Sequence, residues 1–138
     1  MARCTGLWVL AEDSGIEVKS LGGKPGIYSA RYSDPNATAR KNNLKLLRAL
    51  ARVPPKKRQA RYKCVAVLTS PQKVIKITEG ECKGYVAATL RGKNGFGYDP
   101  LFLVPKYGKT FGELPQSIKN QISHRAKAIK KMSHRLHR

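Results

Sequence analysis

Two acids, Glu12 and Asp13, follow a short apolar run, Leu7-Trp8-Val9-Leu10-Ala11, and precede Ser14-Gly15. Neighbouring residues of an extended strand point to opposite faces, so only one of the pair can project into a given cleft, and the two cannot share a proton. As a functional group, Asp13 is a Mg²⁺ ligand that also orients or deprotonates water, because a hard cation takes carboxylate and phosphate oxygens together. As a structural group, it is a solvated acidic turn before glycine. A second stretch, Arg91-Gly92-Lys93-Asn94-Gly95-Phe96-Gly97-Tyr98-Asp99-Pro100, sets two aromatic rings among three glycines. Glycine lets backbone approach a flat ligand and Phe96 offers a ring for a base to stack on; the alternative is a loop whose aromatics plug the core. A third group, Lys119, His124 and Arg125, gathers beside a candidate helix start, where unpaired N–H groups and the helix dipole favour anions. Arginine can also present a donor fork to a purine carbonyl or ring nitrogen. All three histidines fall in the last fifteen residues of a basic tail, so a solvated basic face is the competing account.

These groups need elements to position them. Leu7 to Ala11 reads as a buried sheet strand that delivers the acids to its C-terminal edge. Asp13 is therefore expected at that edge, facing a cleft shared with Phe96 and Arg125. Gly22, Gly23, Pro25 and Gly26 mark a loop, and Ile27 to Tyr32 is too short to classify. From Thr38 to Val53, Leu44, Leu47 and Ala51, flanked by Leu46 and Leu50, recur at helical spacing until Pro54-Pro55 stops the pattern. Strands are expected over Arg61 to Leu68, Val74 to Thr78 and Glu81 to Thr89, with a hairpin at Ser70-Pro71-Gln72. Leu101 to Val104 reads as a short buried strand closed by Pro105. Ser123 is a candidate cap for a helix with Ala126, Ile129, Met132 and Leu136 on its apolar face.

The chain of 138 residues suits one domain burying roughly two-thirds of its unfolded surface. Apolar residues make up 41%, so the composition is not that of a disordered tail. Charge is the unusual quantity: 28 Lys and Arg against 8 Asp and Glu leave +20, and no acid lies between Asp34 and Glu79. Such a field attracts phosphates of any kind without preference for base or sequence, which makes non-specific nucleic-acid binding an expectation. Cys4, Cys64 and Cys82 have neither metal-site spacing nor an even count, so zinc and a disulfide framework are not expected. The apolar run near Met1 is too short for a signal-peptide core or a membrane span, and a cytoplasmic location is expected.

Four stretches taken in order resemble the inosine/xanthosine triphosphate pyrophosphatase family. They are Leu10-Ala11-Glu12-Asp13-Ser14-Gly15-Ile16-Glu17-Val18; Leu21-Gly22-Gly23-Lys24-Pro25-Gly26-Ile27-Tyr28-Ser29-Ala30-Arg31-Tyr32; Gly95-Phe96-Gly97-Tyr98-Asp99-Pro100-Leu101-Phe102; and Ile122-Ser123-His124-Arg125. Asn42 to Leu47 and Gln59 to Cys64 also fit, so the likeness covers nearly the whole chain. It implies a single α/β domain with a mixed, mostly antiparallel central sheet flanked by helices, and a homodimer. It implies hydrolysis of ITP, dITP or XTP to the monophosphate and pyrophosphate with Mg²⁺. Asp13 would then be the metal-linked catalytic acid, with Ser14 touching substrate. Phe96, Gly97, Tyr98 and Asp99 would form the base pocket, and Lys119, His124 and Arg125 would complete nucleotide recognition. A donor such as Arg125 satisfies a carbonyl at purine position 6 and opposes an amino group there.

The resemblance also implies a departure. Family members open with a strand, a Thr/Ser-Gly-Asn-x-x-Lys phosphate loop and helices carrying a further metal-site acid, and Met1 falls after these, so the 138 residues correspond to the C-terminal two-thirds of the family domain. Lys19, Arg40, Lys83 and Ile118 stand where the family usually shows acids. Arg40 and Lys41 oppose the dipole of their helix at a cost of ~0.3 to 1 kcal/mol each. A pyrophosphatase, a basic module that holds RNA or another polyanion, and a decayed remnant are the competing readings.

Overall fold

Alternation along the strands builds the sheet. In β2 (Gln59–Thr69) every second residue from Ala60 to Leu68 is buried, the period expected of a strand with one face on the core. β2 pairs antiparallel with β1 (Val9–Val18) on one side and β3 (Val74–Val86) on the other. Short strands β4 (Phe102–Val104) and β5 (Lys109–Thr110) complete a five-stranded antiparallel sheet ordered β1-β2-β3-β4-β5. The computed structural model describes residues 2–136; the side chains of residues 135 and 136 lie outside that description, so the expected place of Leu136 on an apolar face does too. No helix of the described residues is long and apolar enough to cross a membrane.

Four helices accompany the sheet: α1 (Ala2–Thr5), α2 (Ala39–Ala49), α3 (Gln116–Ile122) and α4 (His124–Leu136). The side chain of Thr38 accepts from Lys41 N–H and starts α2. Ser123 caps α4 as read from the sequence, its Oγ accepting from Ala126 N–H at 3.1 Å. The main core joins Ile16, Val18, Leu46, Leu50, Tyr62, Leu101, Phe102 and Phe111, and a smaller cluster sets Cys64, Ala66 and Leu68 against Ala128 and Met132 of α4.

Four expectations are corrected. β1 begins at Val9 and runs on to Val18, so Glu12 and Asp13 lie in mid-strand, and Leu7, Trp8 and Leu10 are 65%, 61% and 50% exposed rather than buried. The buried face of α2 is Asn42, Asn43, Leu46 and Leu50; Ala51 is exposed and Leu44 and Leu47 are only half-buried. On α4, Ala128 rather than Ala126 is fully buried. β3 is one strand rather than two, because Gly80 is not a break. A side chain there would collide with the His124 carbonyl and Ala128 amide of α4, so glycine lets the helix backbone settle on the strand. The hairpin at Ser70 is present, with Ser70 N–H donating to Lys73 O at 2.9 Å.

Candidate functional site

The meeting of α3 and α4 at Ser123 leaves a hollow of about 390 Å³ against the sheet, walled by the 96–99 loop. Asp99 organises that loop from within. It is only 3% exposed, and its Oδ2 accepts from Phe96 N–H at 3.0 Å and from the Lys119 ammonium, while its Oδ1 accepts from Tyr62 Oη at 3.1 Å. Burial, then the charge of Asp99, holds the Tyr62 phenol well above its ordinary range, so it remains a donor. Gly95, at φ 73°, has no room for a side chain, because a Cβ would strike the Asp99 carboxylate. Asn43 Nδ2 of α2 donates to Gly97 O at 2.9 Å and fixes the other side of the loop. Phe96 is thereby left 62% exposed, with Lys119 Nζ 4.8 Å and the Arg125 guanidinium 5.0 Å from its ring centre.

His124 stacks on Tyr62 with ring centres 4.5 Å apart, and its Nδ1 is buried without a hydrogen-bond partner. Burial first, then the charges of Arg125, Lys119 and Lys127, bring its pKa down from 6.5 to about 4, so the imidazole is neutral near pH 7. In the unfolded chain His124 takes up its proton as pH falls through 6.5, and in the folded protein not until about 4. Its contribution to stability is therefore complete above pH 6.5 and is lost as pH falls towards 4, by of order 2 to 3 kcal/mol. Urea unfolding across this range should show that loss, and His124→Gln should flatten it; an unchanged slope would contradict a buried neutral histidine.

Alternation of β1 assigns the two acids. Glu12 and Ser14 share the face turned to α4, where Arg125 Nε lies 2.6 Å from Glu12 Oε1, an ion pair not aligned as a hydrogen bond. Ser14 stands opposite Cys64, whose thiol is its polar neighbour, and its Oγ meets no partner at hydrogen-bond geometry. Asp13 turns to the other face, exposed, opposite Val65, in a small hollow with Lys63 and Glu17. The expectation that Asp13 faces a cleft with Phe96 and Arg125 is thus corrected: it is Glu12 that meets Arg125, and neither acid lines the α3–α4 hollow. The Asp13 carboxylate makes no hydrogen bond or ion pair with another described side chain. Ser14 and Gly15 line both hollows, so the two meet at this point of β1, the edge strand of the described sheet.

Of the residues singled out from sequence, Ser14, Phe96, Gly97, Tyr98, Asp99, Lys119, His124 and Arg125 line the α3–α4 hollow together. Tyr98 is in large part a core residue, its hydroxyl donating inward to Ser29 O at 2.6 Å. Lys119, only 8% exposed, is committed to Asp99. Sequence reasoning missed Tyr62 and the role of Glu12. Both follow from period-two alternation once the β1–β2 register is known, and one sequence does not reveal register. A larger hollow of about 660 Å³ on the other face is lined by Glu17, Lys19, Arg61 and Lys83. There Arg61 pairs with Glu17 and Glu81, and Lys83 with Glu81, so these charges are engaged with one another.

The Ham1 family profile matches residues 1–135. The chain belongs to the Ham1 family. It is 48% identical over 137 residues to the dITP/XTP pyrophosphatase of Desulforamulus reducens, covering 99% of this chain and 68% of that protein. It is 48% identical to the dITP/XTP pyrophosphatase of Geobacillus kaustophilus, with 90% of this chain and 61% of that protein covered. A Streptococcus pyogenes protein of the same name is 48% identical over 133 residues, which are 40% of its length. Among solved structures, the Ham1 protein of Staphylococcus aureus superposes with a TM-score of 0.91 at 42% identity over 99% of this chain and 70% of that one. The Ham1 protein of Coxiella burnetii does so with a TM-score of 0.91 at 40% identity, covering 98% and 70%. The chain thus spans between two-fifths and about two-thirds of these curated relatives.

Proposed function

We propose that the chain binds 6-oxo purine nucleoside triphosphates, namely dITP, ITP and XTP, and hydrolyses them to the monophosphate and pyrophosphate. The observation that carries this is the pairing of an exposed ring, Phe96, with a buried, partnerless His124 Nδ1 across one hollow. A purine stacked on Phe96 would present its polar edge to His124, Ser14 and Arg125. Neutral His124 can donate or accept, and the Arg125 donors favour a carbonyl over an amino group. The phosphates would leave over Ser14-Gly15, where the hollows adjoin, and reach Asp13 on the far face.

Asp13 suits Mg²⁺, which commonly takes one or two carboxylates together with substrate phosphates and water. Its carboxylate is exposed and uncommitted, although no group of three or more His, Cys, Asp or Glu gathers among the described residues. The ion, when bound, would supply neutralisation of phosphate charge. Asp13 would orient the water that attacks the α phosphorus; as the new P–O bond forms, one proton of that water passes to bulk solvent, the α–β phosphoanhydride bond breaks, and pyrophosphate leaves with its electron pair. Calorimetry with dITP and dATP tests the binding. Phe96→Ala is expected to weaken dITP binding by about 10- to 100-fold, as loss of one stacking ring does. Equal affinity for dATP, or no effect of Phe96→Ala, would count against the pocket. The surplus charge supports a second property, sequence-independent attraction of nucleic acid.

A further inference from the structure

Lys41, Lys45 and Arg48 follow one another along α2 at spacings of four and three residues, and Arg52 extends the row by four in the turn beyond. These spacings put Lys41, Lys45 and Arg48 on one side of the helix, opposite the buried Asn42, Asn43 and Leu46, and exposed Arg52 follows in the turn. All four are exposed, as are Arg40 and, in the 3₁₀ turn Pro55–Lys57, Lys56 and Lys57. Buried Arg58 holds that turn against the end of α2, donating to Val53 O and Leu50 O, each at 2.9 Å. None of the cations in the row enters an ion pair with a described acid, and none has an acid near it in sequence, since residues 35–78 contain no Asp or Glu. Like charges at this spacing repel, and α2 has no acid in its first turn, so the row works against the helix that carries it. A line of phosphates laid along it would remove that repulsion.

We propose that this row is a docking surface for the phosphate backbone of double-stranded nucleic acid, separate from the nucleotide pocket. The proposal rests on the reading that the chain attracts nucleic acid and gives that attraction a place. A duplex fits better than a single strand, because the row offers no open aromatic platform: the half-buried Tyr32 ring is already covered by Lys45 Nζ at 4.4 Å. It fits better than a membrane surface, because no large apolar side chain of residues 39–57 is exposed for insertion. Nor does the surface compete with the pocket. Asn43, on the opposite side of α2, is the residue that reaches the 96–99 loop.

Fluorescence anisotropy with a labelled mixed-sequence DNA duplex about 20 base pairs long, in roughly 50 to 300 mM KCl, tests this. Joint substitution Lys41→Gln, Lys45→Gln, Arg48→Gln and Arg52→Gln is expected to lower the slope of log K against log salt by about 3 to 4, at ~0.9 per phosphate contact, and to leave dITP binding unchanged. Because Lys45 also donates to Tyr32 O, a second variant keeps it and changes the other three, with an expected loss of about 2 to 3. The control, Lys24→Gln with Lys93→Gln, Lys106→Gln and Lys109→Gln, should lose far less. Equal losses in stripe and control variants would mean diffuse attraction and overturn the surface. An absence of duplex binding by the unaltered chain would overturn the broader reading instead. Tighter binding to phosphatidylserine vesicles than to the duplex would overturn the choice of partner.

Discussion

Incubated with dITP and Mg²⁺, the 138-residue chain is expected to release pyrophosphate at least about 100-fold more slowly than the longer Desulforamulus reducens relative, while still binding the nucleotide. On the proposed reading, the two faces of β1 divide the labour between base and phosphates. The groups proposed to meet the base, Phe96, Ser14, His124 and Arg125, line one hollow together. The phosphate side is thin. Phosphoryl transfer depends on positioning and on donors aimed at developing charge, and removal of one such donor commonly costs about 10²- to 10³-fold. Lys119 is buried against Asp99 and Arg125 is paired with Glu12, so these two cations are not free to hold a triphosphate. No group of three or more His, Cys, Asp or Glu gathers at Asp13 among the described residues. The measurement is pyrophosphate release run beside calorimetry, with Asp13→Asn as control. That substitution should remove the remaining turnover and spare binding. Turnover matching the relative and abolished by Asp13→Asn would show that the described residues suffice.

Lys119→Met is expected to destabilise the protein by about 3 to 5 kcal/mol, because it strands the Asp99 carboxylate in a dry interior. Asp99 would keep Tyr62 and Phe96 N–H as donors and lose the Lys119 counter-charge. Asp99→Asn alone should cost a comparable amount by leaving the Lys119 ammonium unpaired. The double substitution should recover a large part of the sum, since neither charge is then buried alone. Urea denaturation of the three variants gives the cycle. Additive losses would mean that the contact is not an interacting pair. Nucleotide affinity should fall with each single substitution, because the same carboxylate shapes the turn that holds Phe96 out.

Most of what the sequence made legible was local. The strand read over Arg61 to Leu68, the Ser70 hairpin and the Ser123 cap follow from patterns a few residues long, and each is present, whereas α2 ends at Ala49, four residues before the Val53 end expected from Pro54. The grouping of Phe96 and Asp99 with Lys119, His124 and Arg125 was reached through resemblance, and the structure brings them to one hollow. What could not be read depended on partners distant in the chain. The continuity of β3 through Gly80 involves a helix more than forty residues later in the chain, which rests on that glycine. The buried side of α2 is defined by Asn42 and Asn43, polar residues whose amide N–H groups donate to the Ser29, Ala30, Ala39 and Gly97 carbonyls and which carry no apolar signal. Glu12 and Asp13 differ only in which face of a strand they take, and that depends on register.

Register also gives β1 a vulnerability of its own. Gly15 fits beneath the Gly26 carbonyl, where no side chain could sit, and Ile16 and Val18 are wholly enclosed on the α4 side. These three pin the ribbon. If it slid by a single residue against β2, every side chain would exchange faces. Asp13 would turn towards Arg125 and Glu12 outward, so the acids would trade surroundings without any change in composition. A one-residue deletion or insertion between Val9 and Asp13 would impose this choice on the chain: either the anchors hold and the acids are displaced, or the acids hold and the core opens. Such a lesion would be far more damaging than most substitutions in the same stretch, because it decouples the spacing of acid and anchor rather than the identity of either.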